Sequence, residues 1–249
     1  MKRILLRTGA IFLPMGIWAA TAAIVDLPVI LPGPVTVLSG ALEVITGPGF
    51  FLQVAATTIR TAGALAVAIL IAVPAGIIAG RHEPVSVLLS PTATVLRSTP
   101  VISLILLALI WFRSGGVPVF VAILMTAPIL YDAARSGSGE CPEELLEMAG
   151  VFHVGTFRRY REIVVPASLP ALFAGLRSAH GIAWKVTVAA EVLSQPVFGI
   201  GSQLNQARIY LLTELVLAWT VILVIFSTIG DRLIHRAGQA FRRRRGIDG

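Results

Sequence analysis

The twenty residues Thr61–Gly80, TAGALAVAILIAVPAGIIAG, carry no charge. A helix of about 20 predominantly apolar residues crosses the hydrocarbon core of a bilayer, so this stretch alone takes the chain out of water. The composition agrees. Of 249 residues, 56% are hydrophobic and 13% charged, against about 25% charged in a soluble globular domain. Mean hydropathy is +0.86. A soluble fold is excluded, and the expected class is all-α: a polytopic membrane protein.

The same reading carried outward gives about six spans. The first is Ile4–Val25 and the second Thr61–Gly80. The third joins VSVLLSPTATVL from Val85 to VISLILLALIWF from Val101, one long segment bent or broken at its prolines with its second half deepest in the bilayer. The fourth is Val117–Ala134, the fifth Ala171–Leu193 and the sixth Ile209–Gly230. The first segment also has the basic start and small-residue end of a signal peptide, and cleavage would leave five spans. Its apolar run is long enough to span, and five further spans follow. Residues 26–50 hold Pro28, Pro32, Pro34 and Pro48 and no Lys or Arg, so they are expected as an external connection.

Cytoplasmic loops are enriched in Lys and Arg. With the N-terminus inside, fourteen fall on the inner side: Lys2, Arg3, Arg7, Arg81, Arg135, Arg158, Arg159, Arg161, Arg232, Arg236 and Arg242–Arg245. Only Arg113 and Arg208 fall outside. Both termini are therefore expected in the cytoplasm. The net charge of +7 is spent on this asymmetry and on anchoring the last helix at an anionic inner surface through Arg242–Arg245, not on nucleic acid. The single cysteine, Cys141, excludes an internal disulfide.

One inner stretch is unlike the rest: Glu147–Pro166, EMAGVFHVGTFRRYREIVVP. Upstream, Pro142 suits a first helical position, with Glu143 and Glu144 in the first turn. Leu145, Leu146, Ala149 and Phe152 recur at helical spacing on one face. Thr156 is placed to cap a second short helix, with Phe157, Tyr160, Ile163 and Val164 on its apolar side. Pro166 and Pro170 are expected to end it and start the next span, and RSGSGE at Arg135–Glu140 to be a flexible lead into the insert. Two amphipathic helices result. They either rest on lipid headgroups or dock into a partner.

These residues resemble the cytoplasmic loop of permease subunits of binding-protein-dependent ATP-binding-cassette importers. That loop has Glu-Ala-Ala, a Gly six positions after the Glu, then Ile-x-Leu-Pro, with the Pro nineteen after the Glu. Here Glu147 and Pro166 stand nineteen apart, Ala149 matches the second alanine and Ile163 the isoleucine. Val165 replaces the leucine, Met148 the first alanine, and His153 the glycine of the turn. His tolerates positive φ better than most residues, and Gly155 two positions on offers a displaced turn. LPGPVTVL at Leu31–Leu38, TTIRTAGALAVAILIAVPAGIIAG at Thr57–Gly80, LRSTPVISLILLALIWF at Leu96–Phe112 and VPASLPALFAGLRSAHGIAWKVTVAAEVL at Val165–Leu193 are together similar to the branch serving nitrate, sulfonate, taurine and thiamine-precursor uptake.

The resemblance implies a type I importer permease in the bacterial cytoplasmic (inner) membrane. Residues 1–249 form one transmembrane permease domain, with its core over about 51–236 and a coupling loop over about 135–170. It implies a dimer of ATPase subunits that carry ATP and Mg, a second permease copy forming a homodimer, and an external binding protein that delivers the substrate. The coupling residues are then Glu144, Glu147, Met148, Ala149, Gly150, His153, Gly155 and Arg158. Independently, a Walker A loop needs a lysine in a Gly-rich setting. The two lysines, Lys2 and Lys185, have none, so ATP is not hydrolysed here by that route.

Ionisable groups within spans point to function, and the fifth span holds Arg177, His180, Lys185 and Glu191. At 100° per residue Arg177, Trp184 and Glu191 share a stripe, with His180 and Thr187 alongside and Lys185 about 80° away. Arg177 is near enough to the inner surface to snorkel; His180 reads as a hydrogen-bonded packing residue. Lys185 and Glu191 either pair, with one another or with another helix, or line a substrate path with Trp184 and Thr187. A positive charge there suits an anionic or strongly polar solute. Gln195, Gln203, Asn205 and Gln206 belong to the outer loop after span five, either solvated or facing the delivery protein. An intramembrane enzyme using His180, Lys185 and Glu191 as acid–base groups, or a scaffold whose insert docks a soluble protein, are the competing functions.

Overall fold

The computed structural model describes residues 2–244, with side chains for 13–241 and 243. Eleven α-helices and one π turn follow in order: α1 (Lys2–Val25), α2 (Pro34–Thr46), α3 (Phe50–Ala79), α4 (Glu83–Ser98), α5 (Val101–Trp111), α6 (Val117–Gly139), α7 (Glu143–Val151), α8 (Thr156–Arg159), the π turn Tyr160–Val164, α9 (Val165–Ser194), α10 (Ile200–Ile209) and α11 (Thr213–Arg244). No strand occurs among the described residues.

By length and apolarity α3, α6 and Thr213–Phe241 each suffice to cross a membrane. The pair α4 and α5 passes only when taken together, and meets at 98° across Thr99–Pro100. The bend expected at the prolines of the third segment is therefore nearly a right angle. The six-span reading also counts α1 and α9, 24 and 30 residues long. Of these α9 falls short on composition, because Arg177, His180, Lys185 and Glu191 interrupt its apolar run. It is packed inside the bundle instead, against α3, α6 and α11. The sixth span begins at Thr213 rather than Ile209, since α10 closes first at Tyr210.

The bundle's spine is α3–α6–α9, with α6 in the middle. Small residues set its spacing. A Cβ on Gly76 would stand 2.4 Å from the Tyr131 carbonyl oxygen and 2.6 Å from the Ala134 Cβ. One on Gly175 would lie 2.3 Å from the Ala133 Cβ. In a bilayer, where lipid competes with apolar side chains, such close backbone approach is what holds helices together.

Packing also corrects the linker readings. The lead RSGSGE is not flexible: α6 runs through it to Gly139, with Ser138 fully buried and Gly137 pressed against Ser168 and Ala171. Tertiary contact overrides the weak propensity of Gly and Ser. The expected external connection contains α2, opened by Pro34 in its first turn and laid on α11. Nor does Pro170 break the chain, which stays helical from Thr156 to Ser194. Pro166 has no N–H to return to the preceding turn. The ladder widens just before it, where the Val165 N–H reaches the Tyr160 carbonyl.

Candidate functional site

The insert sits at the end of the bundle formed by the C-termini of α3 and α6 and the start of α9. Pro142 caps α7 from outside rather than opening it, and Glu143 and Glu144 occupy the first turn as expected. At the other end the Val154 N–H bonds the Ala149 carbonyl at 2.8 Å and the His153 N–H the Gly150 carbonyl at 3.0 Å. His153 stands between them at φ +51°. This is a Schellman ending, whose left-handed position usually goes to glycine. His153 itself takes that conformation, and the turn is not displaced: Gly155 is extended, at φ −60° and ψ 150°. Thr156 is then the first residue of α8, not its cap, and the Gly155 carbonyl takes the Arg159 N–H at 3.0 Å.

The single apolar face expected for α7 is split in two. Leu146 and Ala149 turn inward, and Leu146 packs with Tyr160, Ile163 and Val164 against Ile77, Ala134 and Cys141. Leu145, Met148, Val151, Phe152 and Phe157 face outward, the last three at 77%, 74% and 79% exposure. Glu144, Glu147 and Arg158 share this exposed side. Arg158 pairs with Glu162 at 3.0 Å one turn on, a solvated contact of little weight. Gly150 lies beside the Arg159 guanidinium, with room for a Cβ at 3.9 Å. Inside the anchor, burial pushes the Cys141 thiol pKa up, which leaves it a small hydrophobe rather than a nucleophile.

The four substrate-path candidates on α9 do not converge. Lys185 is exposed; Trp184, Thr187 and Glu191 are buried in the protomer. The Thr187 hydroxyl has no hydrogen-bond partner. Glu191 pairs with another helix, not with Lys185. Its fully buried carboxylate accepts from Arg60 Nη1 at 2.6 Å and from the Thr57 hydroxyl at 2.9 Å, both on α3, and from the Gly201 N–H at 3.0 Å. Arg60 also donates to the Phe198 carbonyl at 2.7 Å, Thr57 accepts from the Ile200 N–H at 2.8 Å, and Gln53 from the Gly199 N–H at 2.6 Å. The otherwise orphaned N–H groups opening α10 are thus met by two side chains of α3, Gln53 and Thr57, and by the Glu191 carboxylate, while Arg60 holds the carbonyl just before them.

Arg60 is not among the candidates named from the sequence, although its spacing carries a signal. Gln53, Thr57 and Arg60 recur at i, i+4 and i+7, a one-face pattern that marks a polar stripe.

Arg177 forms a two-pronged ion pair with Asp231 of α11, at 2.9 and 2.8 Å, because a carboxylate on the neighbouring helix is within reach. His180 is the packing residue expected, buried, with its Nε2 3.1 Å from the Ser227 carbonyl. Asn205 and Gln206 lie on α10 rather than in a loop, and Asn205 accepts from Arg208 at 2.9 Å. His180 and Glu191 are each committed elsewhere and Lys185 stands apart, so no acid–base centre forms. Among the described residues no group of His, Cys, Asp or Glu is arranged to hold a metal.

Residues 72–243, more than half the chain, match the family model for the binding-protein-dependent transport system inner membrane component. The chain belongs to that family. The permease is 30% identical to a putative ABC transporter permease protein of Methanocaldococcus jannaschii, over 93% of this chain and 88% of the relative. It is 27% identical to the taurine transport system permease protein of Escherichia coli, over 94% and 89%. A solved structure, a crystal structure of an amino acid ABC transporter with histidines, aligns at TM-score 0.55 and 14% identity over 77% of this chain and 91% of that one, a likeness of fold. The protein is thus a multi-pass inner-membrane permease subunit of an ATP-binding-cassette importer. It is a transport subunit and not an enzyme: in this family ATP is hydrolysed on separate ATPase subunits, and a binding protein presents the solute.

Proposed function

We propose that the insert is the surface through which the permease receives the force of ATP hydrolysis. The observation that carries this reading is the outward apolar and acidic face of α7, uncovered in the protomer while the opposite face is packed down. Glu144, Glu147 and Met148 present the docking face. Ala149 seats it on the bundle, and Gly150, His153 and Gly155 shape the turn that stands it off. Arg158 flanks it. An uncovered apolar patch rimmed by charge is what a protein partner covers. The insert end is then cytoplasmic, with both termini on that side, in keeping with the fourteen-to-two distribution of Lys and Arg. Glu147→Arg reverses one charge on this face without touching the core. In the assembled complex, uptake per ATP hydrolysed is expected to fall at least tenfold; normal transport by this variant overturns the docking assignment.

The solute is a small polar or anionic one, in line with the taurine system named for the Escherichia coli relative. Of the four path candidates only Lys185 faces away from the protomer interior. It lies on the exposed stripe of α9 with Ala174, Ser178 and Ala189, small residues that leave room for a passage between this copy and a second, identical permease. Trp184, Thr187 and Glu191 shape that helix from behind. Lys185→Ala is expected to leave assembly intact and lower uptake about tenfold, and Lys185→Arg to be milder because it keeps the charge. Unchanged uptake in Lys185→Ala removes the residue from the path.

A further inference from the structure

Among the long helices, α4 is fastened in its own way. Ala93 is its only buried residue, and Val85 and Leu89 are the other apolar side chains it packs on the core. The rest of the face it turns to the bundle makes polar contacts. His82, just ahead of the first turn, holds the Tyr160 hydroxyl at 3.0 Å through Nε2. Ser86 Oγ accepts from Arg135 at 3.5 Å, Ser90 Oγ stands 3.4 Å from the Tyr131 hydroxyl, and Arg97 pairs with Asp132. Positions 82, 86, 90, 93 and 97 lie on one helical face. On the other side Val87, Leu88 and Val95 are 67%, 74% and 64% exposed.

Interlocked apolar side chains resist sliding, whereas long hydrogen bonds between hydroxyls are weak and exchange partners at small net cost. The far end of α4 is a joint, the 98° break into α5. Its near end makes one hydrogen bond to the insert, and that bond comes from Tyr160, the first residue of the π turn. Widened turns of this kind mark functional positions in helices.

We infer that α4 is the element the insert moves, and that the Tyr160–His82 hydrogen bond is the linkage through which motion of the docked insert reaches it. Tyr160 and His82 are positioning residues: neither touches solute or nucleotide. The inference rests on the docking role proposed for the insert.

The test uses the full complex with its ATPase subunits and binding protein in liposomes. Tyr160→Phe keeps the ring and removes the hydroxyl. Uptake per ATP hydrolysed is expected to fall about fivefold, the weight of one net hydrogen bond, with ATPase subunits still co-purifying. His82→Ala should match it, the double variant should be no worse than either single one, and His82→Gln, which keeps a hydrogen-bonding group, should stay near the original ratio. Hydrogen exchange over residues 83–98 of the unmodified complex should change when ATP and vanadate trap the ATPase, and change less in Tyr160→Phe. An unaltered ratio in Tyr160→Phe, multiplying effects in the double variant, or exchange over 83–98 indifferent to nucleotide in the unmodified complex overturns the linkage. Glu147→Arg run beside these separates the two ideas. If it transports normally the docking reading fails, and if it uncouples while Tyr160→Phe does not, only the linkage fails.

Discussion

Arg60→Met is expected to lower the thermal midpoint of the purified permease by roughly 6–12 °C. Glu191 is fully buried, and Arg60 is the only cation paired with it among the described residues. Removing one partner of such a pair leaves a buried charge without compensation, at a cost of about 3 kcal/mol or more. For a chain of this length each kcal/mol moves the midpoint about 2–4 °C. Thr57 and Gly201 continue to donate to the carboxylate, and Arg60 is 17% exposed on its side chain, so the lower end of the cost is appropriate. Because the same guanidinium holds the Phe198 carbonyl, proteolysis between Gln195 and Ile200 should quicken in the variant. Arg60→Met combined with Glu191→Met replaces a buried pair by hydrophobes of similar length and should recover much of the loss. A midpoint for Arg60→Met within about 1 °C of the original shows that the pair is incidental to folding.

The second large effect is steric. Gly76→Leu introduces a Cβ whose nearest neighbours are a backbone oxygen at 2.4 Å and a side-chain carbon at 2.6 Å, neither the loose end of a flexible chain. α3 must move off α6 along its whole packed length. Overfilling a core costs about 1–3 kcal/mol even where side chains adjust, and here the backbone must. We expect the variant to be lost from the membrane fraction or to elute as aggregate by size-exclusion chromatography. Gly63→Leu, where nothing lies within 4 Å, should assemble normally. Equal behaviour of the two variants would mean that small residues do not set the α3–α6 spacing.

Some of this was legible in the sequence and some was not. Charge-free runs such as Thr61–Gly80 announce the membrane and the helical class, because a bilayer admits few alternatives. Glu147–Pro166 announces the insert by spacing and by resemblance. Which neighbour a buried charge finds could not be read. Glu191 and Lys185 share a helix six residues apart, yet Glu191 is satisfied from α3, 131 positions away in sequence. Arg177 likewise finds Asp231 across 54 positions. Pairings of that range are settled by how helices are arranged, on which local spacing is silent. The polar i, i+4, i+7 pattern of Gln53, Thr57 and Arg60 is the one local signal that points to the stripe facing Glu191. The RSGSGE helix was illegible for a different reason: Gly and Ser there are chosen for closeness to Ser168 and Ala171, which outweighs their preference for loops.

The outward apolar surface of the insert has a bearing on how many copies of this subunit a cell tolerates. On the docking role proposed above, Val151, Phe152 and Phe157, exposed in the protomer, are left in water in any copy without its companion, and greasy surface left in water promotes clumping and attracts chaperones and proteases. Synthesis of this chain ahead of its companions therefore carries a hazard that the membrane cannot hide. The abundance of the subunit is then expected to be self-limiting, with surplus copies cleared while those already engaged are spared.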